Sequence, residues 1–226
     1  MKLFTLLQLL VLGISLTFCQ TAVKDTTGAG IADTTKTGKE TVQNEQVETI
    51  AVQAEKKVPD TLSIIGVGDM MLGSAYPSAA YLPPGNDCSP LLAPVKEILQ
   101  NADVTFGNLE GVLLDSGPTT KNCKDPSKCY AFRMPDKYIE CFKDCGFDVM
   151  SLANNHSGDF GLKGRKNTMK LLDSAGIYYG GLLSNPTSIF EKNGVKYGFC
   201  AFSPNNGTCS INDIAKAQEI VKKLDA

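Results

Sequence analysis

The sequence has very little histidine and no excess of positive charge. Its 226 residues include one histidine, 22 lysines and arginines and 24 aspartates and glutamates, for a formal net charge of −2. This composition does not support a basic surface for nucleic acid, so no nucleic-acid partner is expected. Walker-type phosphate loops, the dinucleotide fingerprint and the nucleophile elbow are also missing, so the sequence does not support those three kinds of site.

The first 19 residues have the layout of a secretory signal. The stretch MKLFTLLQLLVLGISLTFC has one lysine, then an apolar core, then Cys19. The apolar core is too short to span a bilayer comfortably, which favours a signal peptide. The terminal cysteine indicates a lipoprotein signal, although Phe18 stands where such signals usually have a small residue. An uncleaved N-terminal anchor is the alternative. The predicted location is the cell envelope, either membrane-anchored, periplasmic or at the surface.

Residues 20–60 are predicted to form a disordered tether. They contain no aromatic residue and are rich in threonine, lysine, glutamate, glutamine and glycine. Such a segment cannot bury enough apolar surface to offset the entropy lost on ordering. As a flexible coil it would span roughly 35 Å. A partial helix over residues 40–57 is an alternative and would leave the role of the segment unchanged.

Export would change how the eight cysteines are interpreted, because cysteines outside the cytoplasm often pair. If Cys19 is lipidated, seven remain and at least one stays unpaired. Cys123 and Cys129 flank a short polar loop and are the easiest pair to bridge. Cys141 and Cys145 lie one helical turn apart, so free thiols or partners elsewhere are expected for them. A zinc site built from Cys123, Cys129, Cys141 and Cys145 is an alternative, although the two tight Cys-x-x-Cys pairs of structural zinc sites are missing.

Residues 61–226 are predicted to form an α/β domain with a mostly parallel sheet, because strand and helix patterns alternate. The last predicted helix has Ser210 or Asn212 as its cap, and Asn193-Gly194 is the predicted turn of a hairpin. The apolar patterns predict strands over 61–73, 103–111, 147–156 and 177–182, a hairpin over 188–204, and helices over 89–102, 134–146, 161–176 and 210–226.

Polar side chains follow the ends of three successive predicted strands. These are Asp69, then Asn108 with Glu110, then the stretch 154–156, which ends in His156. The carboxyl ends of parallel strands form one edge, where ligands bind. Each of these residues alone also fits a structural role, as a turn former, a solvated charge or a hydrogen-bonding imidazole.

Together, the carboxylates, amides and imidazole are ligands that two divalent metal ions could use to activate water and clamp a phosphate. A single histidine is few for such a centre, so an incomplete site is the alternative. The adjoining GLKGRK stretch contributes Lys163, Arg165 and Lys166. These cations could attract an anionic polymer, or they could be the solvated start of a helix.

Three motifs carry a resemblance to a known family. GDMMLG, then FGNLEGVL, then SLANNHSGDFGLKGRKNTMKLLDSAGI occur in the order and spacing of the poly-γ-glutamate capsule synthesis family of the CapA type. Members of that family look like relatives of the calcineurin-like metallophosphoesterases. The resemblance covers roughly residues 61–225. It implies a four-layer α/β/β/α sandwich and an exported, envelope-tethered protein. It also implies a role in making, exporting or anchoring poly-γ-glutamate or a related polymer, with a membrane-bound synthase complex as partner.

The resemblance also implies roles for individual residues. Asp69 resembles the first metal-binding aspartate, but Met71 stands where phosphoesterases usually have a histidine. Glu110 falls where a bridging acid is expected, with Asn108 beside it. The implied cofactor is a divalent metal, either Mn, Fe or Zn.

Asn155 and His156 resemble the asparagine-histidine pair of the superfamily. The resemblance implies that Asn155 binds metal and that His156 is catalytic, steadying the leaving group or transition state. The family pattern continues with further histidine motifs beyond Ala226. The sequence is therefore expected to hold the N-terminal portion of the domain, as a fragment or as a truncated member. Two hypotheses follow, a metal-dependent hydrolase and a non-catalytic envelope factor that retains part of the site.

Overall fold

The computed structural model describes residues 61–125 and 129–224. The predicted signal, residues 1–19, and the predicted tether, residues 20–60, lie outside the described residues. Within the described ranges, no helix combines the length and the apolar character that a membrane span requires.

A parallel sheet of four strands forms the centre of the domain. The described residues form eight strands in all, β1 (Ile64–Met70), β2 (Val104–Leu109), β3 (Val112–Leu113), β4 (Arg133–Met134), β5 (Val149–Ser151), β6 (Tyr178–Gly180), β7 (Thr187–Lys192) and β8 (Val195–Cys200). The central sheet has the order β1–β2–β5–β6, with every neighbouring pair parallel. The predicted α/β class with parallel order is confirmed. The four-layer arrangement and the truncation stay predictions.

Two smaller ladders flank this sheet. β3 and β4 pair in parallel over two residues, a ladder that the sequence did not predict. β7 and β8 form the predicted antiparallel hairpin. Its turn has Asn193 at φ 55° and Gly194 at φ 81°, the left-handed pair that a two-residue hairpin turn requires. The hairpin reaches the central sheet through a contact between the Phe106 and Phe199 rings, whose centroids are 5.6 Å apart.

The helices are shorter than the sequence predicted, with one exception. They are α1 (Ser89–Leu92), α2 (Lys96–Gln100), α3 (Ile139–Asp144), α4 (Gly161–Ala175) and α5 (Ile214–Lys222). The single helix predicted over 89–102 is wrong. Pro94 lies in a tight turn between α1 and α2, since its ring and missing N–H interrupt a continuous helix. The predicted caps Ser210 and Asn212 are also wrong, because the Asp213 carboxylate accepts from the Lys216 N–H at 3.0 Å.

Helix α4 matches its prediction and orients the chain that leads into it. Gly176, at φ 73°, ends the helix in the left-handed conformation that suits glycine. The buried face of α4 includes Thr168 and Leu172. The Thr168 hydroxyl accepts a hydrogen bond from the Leu113 N–H at 2.9 Å, which ties α4 to β3. The loop just before α4 is therefore held against the strand ends.

The core joins the parallel sheet to helices α1 to α4. Its largest fully buried side chains include Tyr138, Phe142, Leu109, Met150 and Leu172. Full burial of each of the four apolar side chains, Phe142, Leu109, Met150 and Leu172, contributes roughly 1.5–3 kcal/mol. This core fixes the positions of the strand ends on which the polar residues sit.

Two disulfides brace the domain. Cys123 pairs with Cys129, as predicted. Cys141 pairs with Cys88, which confirms the expectation of a partner other than Cys145. Cys145 is a buried free thiol. The zinc alternative is wrong, because three of its four cysteines are in disulfides.

Candidate functional site

Asp69, Asn108 and Glu110 meet at the carboxyl edge of the sheet. Asp69 of β1 pairs in register with Asn108 of β2. The Asn108 amide nitrogen donates to Asp69 Oδ1 at 2.8 Å and to Glu110 Oε2 at 3.0 Å. One side-chain amide therefore holds two carboxylates together, and the expected convergence of these three residues is confirmed.

Asn154 is buried and shapes the loop after β5. Its amide nitrogen donates to the Leu109 carbonyl at 2.8 Å and to Asn108 Oδ1 at 3.2 Å. Its Oδ1 accepts from the backbone N–H groups of His156 at 3.0 Å and Ser157 at 2.8 Å. Asn154 thus fixes the loop to β2. The next residue, Asn155, is exposed, and its role as a metal ligand stays a prediction.

His156 is held between a carboxylate and an aromatic ring. Its Nδ1 lies 2.6 Å from Asp159 Oδ2, and its ring stacks on Phe132 with centroids 4.1 Å apart. An ionised carboxylate only accepts hydrogen bonds, so Nδ1 carries the proton that joins the pair. The other ring nitrogen, Nε2, lies 3.7 Å from Glu110 Oε1. That distance is too long for a direct hydrogen bond.

Asp159 has three partners and almost no solvent exposure, since its side chain is 1% exposed. Besides His156, its Oδ1 pairs with Lys121 Nζ at 2.8 Å and its Oδ2 accepts from the Phe132 N–H at 2.8 Å. Lys121 Nζ also lies 3.1 Å from His156 Nδ1. A buried carboxylate with this many donors is well compensated for its loss of hydration. Asp159 therefore organises the imidazole.

Glu110 has an altered acidity. Burial raises the pKa of Glu110, and the nearby Asp69 carboxylate raises it further. The charge of His156 and the Asn108 hydrogen bond act in the opposite direction, towards a lower pKa. The edge therefore places a carboxyl group with a raised pKa beside the imidazole of His156.

Three residues of the site were missed from the sequence. Asp159 has a detectable signal, because it follows His156 by three residues in a polar turn. Lys121 and Phe132 come from the segment between β3 and β4, where no pattern pointed to the site.

The types of donor at this edge suit divalent metal ions, since carboxylates and imidazole are both common ligands. The described positions of these carboxylates and the imidazole do not suit a metal ion by themselves. Across residues 61–125 and 129–224, no three histidine, cysteine, aspartate or glutamate side chains are placed to hold a metal ion. The Asn108 amide separates Asp69 from Glu110, and Asp159 occupies one nitrogen of His156. The described side chains therefore do not form a complete metal centre by themselves, and the metal ligands stay a prediction.

The family model described as "Bacterial capsule synthesis protein PGA_cap" matches residues 63–224. The match includes every residue of the edge described above.

Similar curated proteins come from three organisms. The chain is 32% identical over 127 residues to the "Capsule biosynthesis protein CapA" of Bacillus anthracis, covering 56% of this chain and 29% of that protein. It is 32% identical over 112 residues to the "PGA biosynthesis protein CapA" of Bacillus subtilis (strain 168), covering 49% and 27%. It is 28% identical over 148 residues to the "Uncharacterized protein y4uA" of Sinorhizobium fredii, covering 65% and 30%. The matched part thus spans under a third of each of these relatives.

Proposed function

Because the chain belongs to the bacterial capsule synthesis family PGA_cap, we propose that it takes part in the synthesis, export or anchoring of poly-γ-glutamate or a related surface polymer. The names of the two Bacillus relatives support this role. The apolar stretch that ends at Cys19 supports an exported protein held at the membrane. A membrane-bound synthase complex is the proposed partner.

We propose that the described domain serves as a binding or assembly factor for the anionic polymer. The observation that carries this proposal is the basic start of α4, directly after the His156 loop. Arg165 Nη2 donates to the Asn206 carbonyl at 2.9 Å, and Lys163 Nζ donates to the Ser116 carbonyl at 3.2 Å. Lys166 is exposed.

None of these three cations is in an ion pair with a described carboxylate. Neutral carbonyl partners leave their positive charge uncompensated. Such a cluster attracts a polyanion at low ionic strength.

Charge reversal at Lys166 tests the proposal. Lys166→Glu should weaken binding of purified poly-γ-glutamate about five- to tenfold at low salt, measured by calorimetry, and the difference should shrink as salt rises. Lys196→Glu is the matched control, because Lys196 is also exposed and without an ion pair to a described carboxylate. It lies near the hairpin turn, where Asn193 bonds Asp103 just before β2, at the opposite end of the sheet. Equal weakening in both variants would mean that only net charge matters.

A second candidate is a metal-dependent hydrolase that acts on a phosphoester or on an amide of the polymer. The observation that favours it is the imidazole of His156, held by Asp159 and facing Glu110. It predicts turnover of p-nitrophenyl phosphate or shortening of poly-γ-glutamate when Mn²⁺, Fe²⁺ or Zn²⁺ is added. Asp69→Ala and His156→Ala should then abolish turnover. Polymer binding that survives EDTA, without turnover, supports the binding role instead.

A further inference from the structure

A cavity of about 480 Å³ shares a wall with the candidate site. Phe132 lines the cavity, and the same ring stacks on the His156 imidazole. Met71, two residues after Asp69, lines it as well. The volume lies in the range of small-molecule sites. A group bound in this cavity would therefore contact the same phenylalanine as the imidazole.

Among the described residues, the lining of the cavity is aromatic and uncharged. Tyr76, Tyr81 and Tyr130 contribute to it, and no described lysine, arginine, aspartate or glutamate does. Arg133 lies behind one wall, 5.9 Å from the Tyr76 ring centre, and its guanidinium donates to the carbonyls of Gly117 and Ala75. A carboxylate that entered would lose its hydration without gaining a cation. The cavity therefore favours an uncharged group.

The tyrosines also offer unused contacts. Tyr81 and Tyr130 are each 63% exposed. Among the described residues, no hydrogen bond involves the hydroxyl of either one. A tyrosine supplies an apolar ring face and one polar group that donates or accepts. A ring-shaped ligand with polar groups on its edge could stack on a tyrosine ring and form a hydrogen bond with a tyrosine hydroxyl.

The wall that carries these contacts is already fixed. The Cys123–Cys129 disulfide anchors the chain just before Tyr130. The Phe132 N–H donates to Asp159 Oδ2 at 2.8 Å. A wall that needs little ordering loses little conformational entropy when a ligand binds.

We propose that this cavity binds an uncharged, ring-shaped group of a substrate or acceptor, beside the His156 edge. The domain thereby binds two kinds of chemical group at two different places. The basic start of α4 faces a polyanion, whereas the cavity excludes free carboxylates and takes a neutral ring. Met71 provides part of that apolar wall at the position where the resembling phosphoesterases usually have a histidine. The inference does not depend on polymer binding.

The test uses two probes that differ in one charge, phenyl β-D-glucoside and phenyl β-D-glucuronide, added to the purified chain. Saturation-transfer NMR and calorimetry should show the neutral glucoside binding at least about tenfold more tightly than the carboxylate. Tyr81→Ala and Tyr130→Ala should each weaken glucoside binding about five- to tenfold. Tyr178→Ala is the control, since Tyr178 is 43% exposed and does not line this cavity.

Three results would overturn the inference. They are equal affinity for the two probes, no saturable binding of the glucoside, and an equal loss of binding in the Tyr178→Ala control. Unfolding in urea checks that each variant is folded. Glucoside binding is measured without poly-γ-glutamate, so loss of the proposed polymer role and loss of the cavity role are read from separate experiments.

Discussion

Replacing Asp159 with asparagine should keep the proton on His156 Nδ1 and break the ion pair with Lys121. In the wild type, Asp159 accepts from His156 Nδ1, from the Lys121 ammonium and from the Phe132 N–H. An asparagine has one accepting oxygen and one donating nitrogen. Asp159 Oδ2 serves two donors, His156 Nδ1 and the Phe132 N–H, whereas Oδ1 serves the Lys121 ammonium alone. We therefore expect the amide oxygen at the Oδ2 position, with the imidazole proton kept on Nδ1. The amide nitrogen then faces the Lys121 ammonium, which loses its acceptor.

The same change should lower stability by about 1.5–3 kcal/mol, because hydrogen bonds to a charged acceptor become hydrogen bonds to a neutral one. With a typical dependence on urea, the midpoint of unfolding should fall by about 1 M. The tautomer is directly measurable, since the chain has one histidine and its ¹H–¹⁵N multiple-bond spectrum contains one imidazole. Asp69→Asn is the control, and it should cost less stability, because Asp69 is exposed. A proton found on Nε2 instead of Nδ1, in the wild type or in Asp159→Asn, would refute the reasoning.

Three further predictions concern stability, each measured by urea unfolding. Cys88→Ser with Cys141→Ser removes a bridge over 53 residues, and chain entropy alone predicts a loss of about 4 kcal/mol. Gly111→Ala should cost about 1–3 kcal/mol, because Gly111 has φ 110° and an added Cβ would lie 2.9 Å from the Phe132 Cβ. Burial raises the pKa of Glu110, so the folded chain keeps that proton to higher pH and loses stability as the pH rises above about 4.3. Glu110→Gln should flatten that slope.

Each of the three has an outcome that contradicts it. The disulfide prediction fails if the double serine variant unfolds at the wild-type urea midpoint. The glycine prediction fails if Gly111→Ala is as stable as the wild type. The Glu110 prediction fails if the variant and the wild type lose stability in parallel between pH 4 and pH 7.

Local signals correctly predicted the features that depend only on residues adjacent in the chain. Gly176 ended α4 as predicted, and Asn193-Gly194 turned the hairpin. Both positions require left-handed backbone, which only a few residue types adopt readily. Apolar spacing alone wrongly predicted one continuous helix over residues 89–102, because Pro94 interrupts the helix despite the periodic apolar residues around it.

Contacts between segments that are distant in the sequence could not be predicted from local signals. Strand ends placed Asp69, Asn108 and Glu110 together because parallel strands share an edge. No such rule brings Lys121 to His156, which lies 35 residues away along the chain. The β3–β4 ladder was missed because two-residue strands have no alternation to detect. The path of the chain between β3 and β4 decides these contacts.

The order of the strands in the central sheet follows their order along the chain. β2 docks beside β1, β5 beside β2, and β6 beside β5, so a chain that emerges from its N-terminus can build the sheet one strand at a time. The edge with Asp69 and Asn108 is present once two strands have paired, but the Asn154 amide and the imidazole arrive only with the loop after β5. Cys141 reaches Cys88 just before that step. In a chain that folds from its N-terminus, the two cysteines and the imidazole edge would therefore be brought into place by nearly the same stretch of chain.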